Sequence, residues 1–223
     1  MTEAWQRGLY VITDPELIPA ARLAEQVDAA LAGGAVLVQY RDKQAAPAAR
    51  WERAQAILSR CRARGVPLVI NDDPDLAAAL GADGVHLGNE DADPVAARGR
   101  LGPRAVVGVS CYNQLARAEA AVAAGADYVA FGRFFASRTK PEAVQAETAL
   151  LRRARQRLRV PVVAIGGIDA ANGAGLIAAG ADLLAVVHGV FGKSDVTAAA
   201  RSLAALFSAG DGCRMPRQAA DDE

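Results

Sequence analysis

Short apolar runs alternate with alanine-rich segments along almost the whole chain, and this alternation constrains the fold more than any other feature. Each run of Val, Ile and Leu is followed by a turn and then by a segment whose apolar residues have helical spacing. The predicted strands span residues 8–14, 36–42, 67–72, 84–87, 105–110, 128–132, 161–166 and 183–187. The predicted helices span residues 20–32, 46–64, 75–80, 94–100, 114–124, 147–158, 170–179 and 196–207.

The predicted strands are hydrophobic almost throughout, which is typical of a parallel sheet covered on both faces. Eight βα units without a GxGxxG motif favour an α/β fold of the (β/α)8 TIM-barrel type, with an open doubly wound sheet as the alternative. Related phrases begin at residues 32, 80, 124 and 179, immediately before every second strand. Their glycines are expected to end each preceding helix in a left-handed conformation, which hints at a repeated βαβα unit.

The length of 223 residues suits one barrel domain, and the 52% apolar content can supply a sizeable core. We therefore predict a catalytic barrel over residues 1–207. The tail over residues 208–223 ends in Asp-Asp-Glu and is expected to be disordered.

The charge balance and the cysteine content limit the kinds of binding partner that we expect for this chain. The 25 basic and 25 acidic residues give a formal net charge of zero, which argues against nucleic acid or a membrane as a partner. Cys61, Cys111 and Cys213 follow no metal or disulfide spacing and are interpreted as reduced thiols of a cytoplasmic protein. The expected partners are small-molecule substrates, and a homo-oligomer is compatible with this composition.

Polar residues that follow an apolar run deserve the most weight, because the active site of such a barrel lies at the C-terminal ends of its strands. Strand two ends in Gln39-Tyr40-Arg41-Asp42-Lys43. Strand alternation places Gln39, Arg41 and Lys43 on one face and the two intervening residues on the other. A forked guanidinium beside a compact ammonium suits a diphosphate, although ion pairs with neighbouring helices are the alternative.

Acidic residues follow strands three and four, in Asn71-Asp72-Asp73 and in the segment from His86 to Asp91. Carboxylate and amide oxygens suit a hard cation, and Mg²⁺ typically uses one or two protein carboxylates while phosphate oxygens complete its shell. We assign Asp72 and Asp91 to this metal. Helix capping is the alternative and is the expected role of Asp73 before Pro74 and of Asp93 before Pro94.

The loops after strands six to eight resemble a phosphate site. Ser137, Thr139 and Lys140 lie in a long loop after strand six, whereas Gly167 follows strand seven and Val187-His188 stand at the end of strand eight, where barrels usually bind phosphate. Ser110 ends strand five with no base beside it in sequence, so hydrogen bonding is favoured over a nucleophilic role. His86 is interpreted as a packed, hydrogen-bonded imidazole.

Together these motifs resemble the thiamine phosphate synthase family: Gln39 to Lys43, Asn71 to Asp73, His86 to Asp91, Gly108-Val109-Ser110, Thr139-Lys140 and Ile165 to Ile168. The resemblance runs in order along the chain from strand one to the last helix. It implies a transferase that joins an aminopyrimidine diphosphate to a thiazole phosphate and releases pyrophosphate by a dissociative route. No enzyme nucleophile is required.

The resemblance also implies individual roles. Gln39, Arg41, Lys43 and Asn71 would hold the pyrimidine diphosphate, with Ser110 and Lys140 also contacting it. Asp72 and Asp91 would bind Mg²⁺. The thiazole phosphate would be held by Ser137 and Thr139 together with the backbone of Gly167, Val187 and His188. The catalytic set is Arg41, Lys43, Ser110 and Lys140.

Several positions depart from the family pattern. Ala136-Ser137 replaces a Pro-Thr pair, Ala164 replaces a glycine, His188 stands where serine is frequent, and Tyr112 stands where many relatives have histidine. A related thiazole tautomerase uses a histidine in that last region and is the nearest alternative. Retention of the cations with Asp72 and Asp91 argues against it. A non-catalytic sensor on the same fold is the second alternative.

Overall fold

The computed structural model describes residues 4–88, 93–136 and 144–209, and over these ranges the chain forms a closed barrel of parallel strands in the order β1 to β8. The strands are β1 Gly8–Ile12, β2 Ala35–Tyr40, β3 Leu68–Asn71, β4 Gly84–Leu87, β5 Val106–Tyr112, β6 Tyr128–Phe131, β7 Val162–Ile165 and β8 Leu183–Val186. The α-helices are α1 Leu23–Ala32, α2 Pro47–Ala63, α3 Pro74–Leu80, α4 Pro94–Leu101, α5 Leu115–Ala123, α6 Thr148–Arg157, α7 Gly173–Ala178, α8 His188–Phe191 and α9 Val196–Ala209. The predicted α/β TIM-barrel class is confirmed.

Alternation along the strands divides the core into two parts. On β1, Leu9 and Val11 pack outward against the helices, whereas Tyr10 and Ile12 belong to the cluster that fills the barrel. Trp5, in the 3₁₀ turn Ala4–Gln6, packs edge-on against Tyr128 at a centroid distance of 6.0 Å within the same cluster. The interior is therefore solid below the point where the strands end.

Most predicted strands extend too far at their C-terminal ends. β1 ends at Ile12 rather than at residue 14, because Asp14 begins a turn in which its carboxylate accepts from the Glu16 amide. β5 instead continues to Tyr112 through a register shift. The 3₁₀ turn Ala20–Arg22 replaces the first turn of the first predicted helix, and the short helix α8 was not predicted.

The repeated phrases close the barrel at the N-terminal ends of the strands. As predicted, one glycine in each phrase has a positive φ just after the helix: 100° at Gly34, 64° at Gly81, 92° at Gly125 and 119° at Gly180. In the first phrase that residue is Gly34, because Gly33, which ends α1, is right-handed. Three of the phrases also carry an aspartate that accepts a hydrogen bond from a backbone amide in the first two residues of the preceding strand. Asp83 accepts from Leu68, Asp127 from Val107 and Asp182 from Val162. These carboxylates fix neighbouring strands in register.

Two further observations concern the cysteine thiols and the character of the helices. Burial raises the pKa of Cys61 and of Cys111 to about 12, so both thiols are protonated at neutral pH. Cys213 lies outside the described residues. Within the described ranges, no helix has the length and apolar character needed to cross a membrane.

Candidate active site

A cavity of about 550 Å³ opens at the C-terminal end of the barrel. Each of the eight strands contributes to its lining, through Tyr10, Gln39, Asn71, His86, Ser110, Ala130, Ile165 and Ala185 in strand order. This volume lies within the range of pockets that enclose small organic ligands. The position is the one at which barrels of this class carry their active sites.

Two cations and one amide lie on the same side of the cavity. Gln39, Arg41 and Lys43 all line it, in agreement with the predicted alternation, whereas the Asp42 carboxylate points away and pairs with Arg53 at 2.6 Å. The Thr13 hydroxyl accepts from the Arg41 amide at 2.9 Å and so fixes the backbone there. The Arg41 guanidinium makes no hydrogen bond or ion pair with any residue that the structure describes. Its five donors are available to an anion.

Asp72 lies beside these cations in an unusual backbone conformation. Its φ of 63° is in the left-handed region, and its amide donates to the His86 carbonyl at 2.9 Å. Its carboxylate pairs with the Lys43 ammonium at 2.6 Å and accepts a hydrogen bond from the side-chain amide of Asn71 at 2.7 Å. Tertiary contacts thus hold a strained residue at the cavity, which is the pattern of a functional position.

The neighbouring aspartates separate into different roles. Asp73 caps α3, because its carboxylate accepts from the Leu76 amide at 2.9 Å, as predicted. Asp93 occupies the predicted N-cap position of α4, but its side chain makes no capping hydrogen bond. Asp91, the second predicted metal ligand, lies outside the described residues. Among the described residues, no group of three or more possible metal-binding side chains occurs.

The opposite side of the cavity is formed by the loops after β7 and β8. Gly167, Val187 and His188 all line it, and His188 is exposed at the start of α8. Gly167 has a φ of 65°, and a Cβ there would meet the Ala136 carbonyl oxygen at 2.3 Å. Glycine is therefore required by the segment that packs against it. Ser137, Thr139 and Lys140, predicted for this side, lie outside the described residues.

A chain of hydrogen-bonded side chains crosses the floor of the cavity. It runs from Gln39 to the Tyr10 hydroxyl, then to Tyr128, His86 and Ser110. The links between Tyr10 and Ser110 are 2.9 to 3.0 Å long. His86 is 6% exposed, so it is the packed, hydrogen-bonded imidazole that the sequence predicts.

Sequence reasoning missed several residues of the cavity. Tyr10 stands at an inward position of β1 two residues before the strand ends, and the inward parity of polar strand residues could have identified it. Arg133 and Lys193 also line the cavity. Arg133 directly follows the predicted sixth strand, so its place at a strand end could have identified it. Lys193 follows no predicted strand directly, and the sequence offers no comparable signal for it.

A (β/α)8 barrel with cations gathered at the C-terminal ends of its strands defines an enzyme of the class that acts on anionic small molecules. Residues 9–190 match the family model described as thiamine monophosphate synthase. The thiamine-phosphate synthase of Thiobacillus denitrificans is 54% identical over 202 residues, which is 91% of this chain and 95% of that protein. That of Nitrosococcus oceani is 52% identical over 87% of this chain and 89% of that protein. The chain therefore belongs to the thiamine monophosphate synthase family, and it is a transferase.

Solved structures agree with this assignment. The thiamine phosphate pyrophosphorylase of Pyrococcus furiosus superposes with a TM-score of 0.85 at 33% identity, covering 93% of this chain and 98% of that one. A 3-hexulose-6-phosphate synthase superposes with a TM-score of 0.63 at 22% identity, over 90% of this chain and 99% of that one. The second likeness supports the barrel fold alone.

Proposed function

We propose that this chain makes thiamine phosphate by joining an aminopyrimidine diphosphate to a thiazole phosphate, with release of pyrophosphate. The observation that carries the proposal is the Arg41 guanidinium, which lines the cavity with its donors unused by the described residues. An unpaired guanidinium beside the Lys43–Asp72 pair is suited to a diphosphate, since phosphate oxygens accept two parallel hydrogen bonds from its fork. The two named relatives point to the same reaction.

The diphosphate half of the site comprises residues from neighbouring strands. Arg41 and Lys43 supply positive charge, Gln39 and Asn71 supply amides, and Ser110 of β5 supplies a hydroxyl. Lys140 completes this set in our proposal. These groups hold and orient the diphosphate and stabilise the charge that develops on pyrophosphate as it departs.

The residues at Asp72 fit a magnesium ion. Its carboxylate is a hard oxygen ligand at the cavity, and one of its oxygens already attracts the Lys43 ammonium, which marks it as a cation-binding position. Asp91 is proposed as the second ligand. The ion, when bound, would neutralise the diphosphate and polarise the bond to the leaving group.

The thiazole phosphate is assigned to the opposite wall. The backbone of Gly167, Val187 and His188 borders the cavity there, and Ser137 and Thr139 are proposed to add hydroxyl donors. The cavity between the two walls has a volume of about 550 Å³, which is enough for two small heterocyclic substrates. The proposed reaction is dissociative: pyrophosphate leaves, the aminopyrimidine stabilises the resulting cation, and the thiazole nitrogen attacks it. No enzyme nucleophile takes part.

The decisive test combines the purified chain with both phosphorylated substrates and Mg²⁺ and measures thiamine phosphate and pyrophosphate. We expect the two products in equal amounts, and none when Mg²⁺ is chelated. Isomerisation of a thiazole phosphate without pyrophosphate release would instead support the tautomerase alternative. Binding of both ligands without turnover would support the sensor.

The metal assignment predicts a shift in magnesium dependence. Asp72→Asn keeps the size of the side chain but removes one negative charge, so the variant should fold normally and need more Mg²⁺ for the same rate. Asp91→Asn should behave alike, and the double variant should be worse than either, with effects that depart from additivity because both ligands act on one ion. Overlapping magnesium titrations for all four proteins would exclude a shared metal.

The phosphate assignment predicts that Gly167→Val weakens the thiazole phosphate far more than His188→Ser does. The valine must adopt a left-handed φ and displace the Ala136 carbonyl, whereas the exposed His188 contributes its backbone, which serine retains. The KM for thiazole phosphate measures the difference, with thermal melting as the control for folding. A harmless Gly167→Val combined with a disabling His188→Ser would mean that the imidazole, and not the backbone, holds the phosphate.

A further inference from the structure

His86 and Ser110 form a pair that resembles a nucleophile and its base, with the Nε2 and Oγ atoms 2.9 Å apart. The pair can work in two opposite ways. If Ser110 donates to Nε2, its oxygen is primed to attack a substrate. If Nε2 carries the proton, the Ser110 hydroxyl must direct its own hydrogen elsewhere. The side chains behind His86 decide between these arrangements.

The direction of the hydrogen-bond chain is set at Gln39. The amide nitrogen of Gln39 faces the Tyr10 hydroxyl, and an amide NH₂ can only donate, so the Tyr10 oxygen accepts. Burial raises the pKa of Tyr10 and of Tyr128, so both phenols keep their single proton at neutral pH. Tyr10 then donates to Tyr128, and Tyr128 donates to Nδ1 of His86. His86 is left with its proton on Nε2.

We propose that His86 is a positioning residue, whose Nε2 proton is donated to Ser110 so that the Ser110 hydroxyl donates into the cavity toward a diphosphate oxygen. The ligand in this inference rests on the proposed function, whereas the direction of the chain does not. A diphosphate offers only acceptors, and this direction alone gives it a donor from Ser110. The hydroxyl has no other hydrogen-bonding partner in the described part of the chain.

The packing around Tyr128 supports this arrangement. Its ring lies at the centre of the barrel, edge-on to Tyr10 and stacked on His86 at a centroid distance of 5.6 Å. A Cβ at residue 108 would lie 1.9 Å from the Tyr128 Cζ atom. Glycine in the Gly108-Val109-Ser110 motif thus makes room for the phenol that orients His86, two residues before the serine whose proton is directed.

The direction can be read by ¹⁵N NMR of the intact protein. The chain contains two histidines, so ¹⁵N-histidine labelling gives two pairs of imidazole signals, which His188→Ser assigns. We expect His86 to show a protonated Nε2 and an unprotonated Nδ1 at neutral pH. The exposed His188 serves as the reference imidazole. An Nδ1-protonated His86, or one that exchanges rapidly between tautomers, would overturn the proposal.

A double-mutant cycle tests whether the chain acts through Ser110. Tyr128→Phe keeps the ring but removes the donor to His86, and it should weaken binding of magnesium pyrophosphate roughly tenfold, about the effect of losing one hydrogen bond to a charged group. Ser110→Ala should give a similar loss. In the Ser110→Ala background, Tyr128→Phe should cause no further loss. Multiplying effects would show that Tyr128 does not act through Ser110.

Conservative variants at His86 provide a second route if Tyr128→Phe fails to fold. His86→Gln can place an amide donor near the Nε2 position, whereas His86→Asn places its amide nearer Nδ1 and leaves Ser110 without a donor. We expect His86→Gln to bind magnesium pyrophosphate more tightly than His86→Asn. The reverse order would overturn the proposal. Failure of the parent chain to bind magnesium pyrophosphate would refute the proposed diphosphate site, and the NMR measurement would still decide the direction of the chain.

Discussion

Replacing Arg41 with alanine is expected to lower kcat/KM for the pyrimidine diphosphate roughly 10- to 150-fold, the equivalent of about 1.5 to 3 kcal/mol for a hydrogen bond to a charged group. The guanidinium lines the cavity and makes no hydrogen bond or ion pair with the described residues, so the substitution removes no such contact from the folded state. The melting temperature should therefore hardly change. Arg41→Lys keeps the charge but lacks the planar fork, so it should recover only part of the activity.

The control for this experiment is Arg64→Ala. Arg64 follows α2 at the opposite end of the barrel and pairs with Asp28 at 3.0 Å with both side chains well exposed, so its loss should leave kcat/KM unchanged. Lys43→Ala should fall in the same range as Arg41→Ala. Wild-type rates for both Arg41→Ala and Lys43→Ala would remove the end of β2 from the active site.

Asp182→Ala is expected to cause the largest loss of stability, about 3 to 5 kcal/mol in the free energy of unfolding, because it removes the carboxylate from a buried ion pair with Arg155. The Asp182 carboxylate pairs with Arg155 at 2.8 Å and accepts from the Val162 amide at 2.9 Å. The side chain of Arg155 is only 9% exposed and that of Asp182 only 5%. Urea unfolding at equilibrium measures the change, provided that the variant unfolds in two states.

The chain contains a matched control for Asp182. Asp127 occupies the same place in its repeated phrase, pairs with Arg98 and accepts a hydrogen bond from the Val107 backbone amide. This pair is less buried, because the Arg98 side chain is 25% exposed and the Asp127 side chain 37%. Water can replace part of what Asp127→Ala removes, so we expect a clearly smaller loss. Combining Asp182→Ala with Arg155→Met should recover part of the stability, since both charges are then absent. Equal losses at Asp127 and Asp182 would contradict the role of burial.

The sequence by itself determined the barrel fold and which side chains at the end of β2 face the cavity. Period-two alternation is a local property, so the predicted facing of Gln39, Arg41 and Lys43 could be read from β2 alone, and the structure agrees with it. Strand ends were predicted less well, because a turn such as the one at Asp14 depends on hydrogen bonds that hydrophobicity does not encode.

Only the tertiary structure decided which of these groups meet. Tyr10 and Tyr128 are 118 residues apart in sequence, yet their hydroxyls are 3.0 Å apart because barrel closure brings β1 and β6 to one interior. The same holds for the pairing of Lys43 with Asp72 and for the Arg41 guanidinium, which the described residues leave unpaired. No pattern along the chain indicates the direction of a hydrogen-bond chain across five strands. That direction depends on which donor faces which acceptor in space, and the packed interior of the barrel fixes it.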